Sequence, residues 1–163
     1  MQQRSKILLG TAAGLAIALT IYILATAPAP SDQQQIADGI ETARAGIEHR
    51  NALAVLTTVS ADYKDTTFAN VDQLHYILNR VLHDAGHLSV ATTPATINVT
   101  GNTAQSVSRV TIMSADNLTN LFDGTVTLHW RRERAHRYLI FPSSVWRVTG
   151  GEYPGMPSLG DGP

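Results

Sequence analysis

The chain has no cysteine among its 163 residues. That excludes disulfides, thiol nucleophiles, zinc–thiolate sites and iron–sulfur clusters. Any folded domain here is held by packing and hydrogen bonds alone. Charge is also scarce, at 15% of residues, and it is unevenly placed. No acid precedes Asp32, and no base lies between Lys6 and Arg44. Thirteen acids and ten of the twelve bases therefore follow residue 31, a balance of 10 − 13 = −3 with His neutral. That balance gives no general pull toward nucleic acid or anionic lipid. No phosphate loop, nucleophile triad or nucleic-acid signature is present either.

What the first third of the chain has instead is an apolar run. Ile7 to Ala27 holds no charge and no proline. As a helix its 21 residues would span about 31 Å at ~1.5 Å each, close to the ~30 Å hydrocarbon core of a bilayer. Arg4 and Lys6 precede it, which predicts a cytoplasmic N-terminus with the rest across the membrane. A cleaved signal is the alternative. The run exceeds the ~7–15 apolar residues of a signal core. The small-residue sites ending at Ala27 and Ala29 are each followed by proline, Pro28 and Pro30, a poor context for cleavage. An anchor is the expectation, with secretion after cleavage as its alternative. Gly10 and Gly14 form a Gly-x-x-x-Gly pair, a dimerisation signal that small residues in such a segment also produce without function. The expected layout is a cytoplasmic tail over 1–6, a transmembrane helix over 7–27, a linker over 28–33, one domain over 34–153 and a disordered tail over 154–163. The lack of cysteine fits a bacterial envelope, with the domain on the periplasmic side of the inner membrane.

Within the domain, Ser31 or Asp32 caps a helix with Ile36, Ile40, Ala43 and Ile47 on one stripe. A short helix from Ala52 to about Thr58 is expected to turn Leu53, Val55 and Leu56 inward. Tyr63 to Phe68 reads as a short strand. Asn70 and Gln73 make a capping-box start, and Gly86 a stop, for a helix with Leu74, Ile77, Leu78, Val81 and Ala85 on its core face. Tyr76 falls on the outer face. From Leu88 the pattern alternates, breaks at Pro94 and resumes at Ile97 in the opposite register. Gly101-Asn102 is a turn, and Ala104 to Ser114 a strand. Residues 116–124 read as a loop. Thr125 to Arg131 alternates, with Val126, Leu128 and Trp130 on one side. Residues 132–136 read as a charged hairpin end, residues 138–149 as a strand kinked at Pro142, and Gly150 onward as a tail. Helices first and antiparallel strands after define an α+β class, with helices packed on a bent sheet.

Three runs carry a resemblance: LTTVSADYKDTTFANVDQLHYILNRVL, INVTGNTAQSVSRVTI and VTLHWRRERAHRYLIFPSSVWRVTGGEY. Together they resemble the nuclear transport factor 2-like superfamily over residues 34 to 153. The resemblance implies a cone with a pocket between helices and curved sheet. It implies either a pocket enzyme of the ketosteroid isomerase or polyketide cyclase kind, or a non-catalytic binding or assembly domain. In the enzymes an Asp from the region after the second helix acts as base, and Asp65 is the nearest match. The Asp-Pro-x-Gly context of the isomerases is absent, since Thr66-Thr67-Phe68 follows.

The candidate chemistry is thin. Asp65 is a catalytic candidate only if it is buried, since exposed carboxylates lack base character; otherwise Asp62 and Asp65 are turn and strand-end residues. Tyr63, Met113, Trp130 and Trp146 are candidates to line a pocket, or plain core. Arg131, Arg132, Arg134 and Arg137 cluster around one hairpin. They read as a contact for an acidic partner or phospholipid headgroups, or as a charged cap against edge association. His83 and His87 are spaced as a metal pair, but Gly86 between them spoils the shared helix face. No metal and no cofactor is expected. The expectation is therefore a single-pass, non-catalytic binding or assembly module, whose partner is another envelope protein or a small apolar ligand. The alternative is a pocket enzyme with Asp65 as general base. Self-association stays open.

Overall fold

A computed structural model describes residues 30–116, 118–137 and 141–155, with side chains at 136–142 set aside. Residues 31 onward form one compact unit. The expected anchor over 7–27 lies outside the described residues. Among those described, no helix is long and apolar enough to cross a membrane.

Helix α1 spans Asp32–Glu48, α2 spans Ala52–Leu56 and α3 spans Val71–Asp84. Each start is fixed by a side chain that accepts an otherwise unpaired amide: Ser31 from Gln34, Asn51 from Ala54, Asn70 from Gln73. Gln73 returns the favour to the amide of Ala69, completing the capping box at α3. Gly86, at φ +67°, follows the end of α3. The stripe on α1 buries Ile36 completely.

Five antiparallel strands follow: β1 (Leu88–Thr92), β2 (Thr96–Thr100), β3 (Thr103–Ser114), β4 (Asn120–Arg137) and β5 (Phe141–Glu152). The order across the sheet is β1-β3-β4-β5, and β2 continues along the same edge of β3 as β1. The register break expected at Pro94 thus divides two short strands that share one partner. The helices cover one face. Ile36, Tyr63, Phe68, Ala104, Trp130, Trp146 and Val148 form the main core there, with Ile40, Leu74, Ile77 and Leu128 packed against it. Ala52, Leu82 and Leu88 form a second cluster.

Several expectations need correction. Leu53 is 71% exposed, because a helix of one turn has room for Ala52 inward but not for its neighbour. Residues 63–68 form no strand. Asp65 Oδ1 takes the amides of Thr67 and Phe68 at 2.7 and 2.6 Å, which curls the backbone into a turn and removes it from any ladder. β4 begins at Asn120, inside the expected loop. Phe122 is buried opposite Ile112, and Gly124 leaves the space its ring occupies, since a Cβ there would lie 2.8 Å from Phe122 Cζ. The expected hairpin end at 132–136 is strand through Arg137. Gly150 and Gly151 belong to β5 and not to a tail. A Cβ on Gly150 would lie 2.9 Å from the Lys64 carbonyl, and one on Gly151 would meet the Tyr153 hydroxyl. These glycines permit close approach of the Lys64 backbone and of the Tyr153 ring to β5.

Candidate functional site

The space between α1, α3 and the sheet is where a pocket is expected, and it is filled. Trp130 is 2% exposed and Trp146 3%. The Trp130 indole donates to Ser106 Oγ at 2.9 Å, and its six-membered ring lies against α1 at Gly39. Tyr63 and Phe68 close the space from the loop side. Three of the four pocket candidates, Tyr63, Trp130 and Trp146, are thus core. The fourth, Met113, pairs with exposed Ser89 across β1 and β3, one residue out of step with the inward pair Val90 and Ile112. It lies on the opposite face from the other three.

Asp65 is half-buried and fully occupied. Its Oδ1 holds the turn, and its Oδ2 accepts from the Tyr63 hydroxyl. That hydroxyl lies 3.0 Å from the hydroxyl of Tyr153. Because the Tyr63 hydroxyl donates its hydrogen bond to Asp65, Tyr153 is the donor to Tyr63. Burial pushes the Tyr63 hydroxyl far above the usual tyrosine range, with the neighbouring Tyr153 and Asp65 adding to the effect. Burial also raises Tyr153, and the Asp65 charge raises it further. Tyr153 escaped the sequence reading because it sits in a Gly- and Pro-rich run. No local pattern links it to a residue ninety positions earlier.

The arginine cluster is divided by the structure. Arg131 bonds Asp62 at 2.7 Å and Glu133 at 3.0 Å on the face away from the helices. Glu133 also accepts from the buried Ser60 hydroxyl at 2.6 Å. Burial alone would raise Glu133, but bonds from Ser60 and Arg131 and the charges of Arg131 and Arg147 outweigh it and hold the carboxyl below its ordinary value. Arg132 turns to the helix side. It pairs with Asp32 and lies 5.0 Å from the centroid of Trp146, whose indole donates to the same carboxylate at 3.0 Å. Arg131 and Arg132 therefore spend their charge within the chain. Arg134 is exposed and has no ion pair among the described residues. Arg137 ends β4, its side chain outside the described set.

An open groove of about 470 Å³ is lined by Asn98, Gln105, His129, Arg131 and Thr149 together with Ala104 and Trp130. It offers hydrogen bonds but no acid or base turned into an enclosed volume. His83 is exposed on its helix, while His87 Nδ1 lies 3.2 Å from Asp116 beyond Gly86. Among the described residues no three His, Cys, Asp or Glu side chains group as metal ligands.

No protein-family profile matches the sequence. No curated protein matches it either. Solved structures do. A nuclear transport factor 2-like protein of unknown function from Pseudomonas putida superimposes with a TM-score of 0.61 at 12% identity, over 80% of this chain and 95% of that one. A cystatin-like protein of unknown function from Nostoc punctiforme gives 0.58 at 13%, over 77% and 94%. A candidate ketosteroid isomerase from Shewanella frigidimarina gives 0.54 at 13%, over 72% and 92%. The domain has the nuclear transport factor 2-like, cystatin-like fold. At these identities the likeness is one of fold.

Proposed function

We propose that the chain is a membrane-tethered, non-catalytic binding or assembly module of the bacterial cell envelope. One observation carries the non-catalytic part: the space that would hold a substrate is occupied by Trp130, Trp146, Tyr63 and Phe68. Asp65, the base candidate that the resemblance implies, has both oxygens engaged inside the protein. A general base must reach the proton it removes. The tether is supported by the length and flanks of residues 7–27. Its partner is another envelope protein or a small apolar ligand.

One feature favours the enzyme reading, an isomerase or cyclase with Asp65 as base. Asp65, Tyr63 and Tyr153 form a part-buried carboxylate–hydroxyl chain, and the structural neighbours include a candidate ketosteroid isomerase. The test is fractionation with N-terminal sequencing, joined to photocrosslinking in intact cells. The module reading expects an intact N-terminus, retention in carbonate-washed membranes and discrete crosslinked species unchanged by Asp65→Asn. A mature start near residue 28 would remove the tether. Enolisation of a ketosteroid by the purified protein, abolished by Asp65→Asn, would establish the enzyme.

A further inference from the structure

We propose that β2 is a pairing edge for a second copy of this chain, joined antiparallel about Asn98 so that one sheet runs through both copies. The proposal does not depend on the tether. The direction of the backbone groups in β2 follows from the strand beside it. Ala115 donates to the His87 carbonyl and Thr93 to the Arg109 carbonyl, so the odd-numbered residues along β3 bond toward this edge. Thr103, Gln105 and Val107 therefore exchange bonds with Thr100, Asn98 and Thr96. The N–H and C=O groups of Ile97 and Val99 point the other way, and among the described residues nothing bonds to them.

The neighbouring strand shows how this fold covers an edge. The Val90 amide of β1 also points away from β3, and Glu48 at the end of α1 accepts it at 2.9 Å. No described side chain does the same for β2. Charge does not guard it either, as it commonly guards open edges. No Lys, Arg, Asp or Glu occurs between Asp84 and Arg109. Arg131 shares a groove with Asn98, but it is already paired with Asp62 and Glu133.

The strand itself identifies its occupant. Thr96-Ile97-Asn98-Val99-Thr100 has the same order of side-chain classes read from either end. A two-fold axis normal to the sheet, midway between the two copies of Asn98, sets Ile97 against Val99 of the second copy and Thr96 against Thr100. Ile97 and Val99 lie on the helix side and pack against the main core, so their meeting extends the apolar face of both copies. Each Ile97–Val99 meeting is a hydrogen-bonded pair, and the axis makes two of them, which satisfies every outward group of both residues. Asn98 meets its own copy at a position without ladder bonds, where Cα atoms stand ~4.5 Å apart. A second copy thus matches this edge at every position, with no charge to desolvate.

The absence of cysteine makes the pairing directly readable. In the full chain, held in detergent, Asn98→Cys places two thiols at a spacing that a disulfide accepts. Gln105→Cys is the control. It lies opposite Asn98 on the next strand in, and its copy would stand three strand spacings away, ~14 Å, out of reach. Under copper–phenanthroline oxidation, Asn98→Cys is expected to give many-fold more covalent dimer than Gln105→Cys. Thr96→Cys and Thr100→Cys should each stay monomeric alone, since like residues would stand ~13 Å apart, and should form a dimer when mixed. Asn98→Lys in both chains of that mixture sets like charges opposite each other and should abolish the dimer, as should Asn98→Glu. Asn98 is exposed, so both variants should melt as the parent does. No dimer at Asn98→Cys overturns the proposal. Equal crosslinking of Asn98→Cys and Gln105→Cys, as association through sheet faces or through residues 7–27 would give, also overturns it. So does a mixture that crosslinks no better than its separate components, or one indifferent to both charge variants.

Discussion

Tyr63 is the residue on which the domain's interior chemistry converges. Its hydroxyl donates a hydrogen bond to Asp65 and accepts one from Tyr153, so it ties the turn at 65–68 to the end of β5. Tyr63→Phe keeps the ring and removes both bonds. It leaves a carboxylate oxygen and a buried hydroxyl without this partner, and the expected loss is about 1–3 kcal/mol, read from the urea midpoint. The same trio sets an alkaline limit. Both tyrosines have folded-state pKa values above the unfolded value of about 10. A group raised in this way contributes stability that is fully present below the unfolded pKa and is lost as pH rises toward the folded one. Above pH ~10 the unfolded state gives up protons that the folded state keeps, so stability falls by ~1.4 kcal/mol per pH unit for each tyrosine. Urea titrations from pH 8 to 11 should show that decline in the wild type. They should show a much flatter curve in Tyr63→Phe/Tyr153→Phe, and equal slopes would show that the hydroxyls are not protected.

At the scale of elements, the contact between α1 and the sheet is set by one missing side chain. A Cβ on Gly39 would lie 3.1 Å from two ring carbons of Trp130. The indole cannot retreat, because its far side is held by Ser106 and it is buried. Gly39→Val should therefore destabilise by about 1–3 kcal/mol through overpacking, despite the better helix propensity of any residue over glycine. A calorimetric melt lowered by about 3–10 °C would agree with this, and an unchanged melt would show that the helix can lift. The elements that were legible in the sequence are those whose causes are local. The capping box at Asn70 and the break at Pro94 act within a few residues, and the structure places both as read. What was misread depends on distant atoms. Asp65 turns the 63–68 segment because two amides and a tyrosine hydroxyl converge on it. Gly150 looks like tail until Lys64 is seen against it. The site fared in the same way. Inward alternation marked Trp130 and Trp146, but nothing in their spacing shows that Asp32 waits beside Trp146 and Arg132 a hundred residues on.

For the whole molecule, the missing disulfide returns as a limit on acid resistance. Glu41, Asp116, Asp123 and Glu133 all have carboxyl groups held below their ordinary values. Glu41 and Asp123 are lowered mainly by hydrogen bonds from Arg44 and Arg109, and Asp116 by the His87 backbone amide. At Glu133 burial opposes the shift, and Ser60 with the two arginines prevails. A depressed carboxylate contributes stability that is present above the unfolded value of about 4 and is lost as pH falls through the folded one. Once all thirteen acids are protonated the chain carries 12 + 6 = 18 positive charges, with no covalent crosslink to resist their repulsion. Stability should therefore be level from about pH 5 to 9 and fall steeply below pH ~4. Glu41, Asp116 and Asp123 stand at the surface, so salt at ~1 M, where the screening length is ~3 Å, should flatten their share of the acid limb. The Glu133 side chain is only 25% exposed between Arg131 and Arg147, and its share should survive that salt. Glu133→Gln tests the division: its acid limb in high salt should be shallower than that of the wild type. Coincident limbs would place the acid sensitivity in the surface pairs alone.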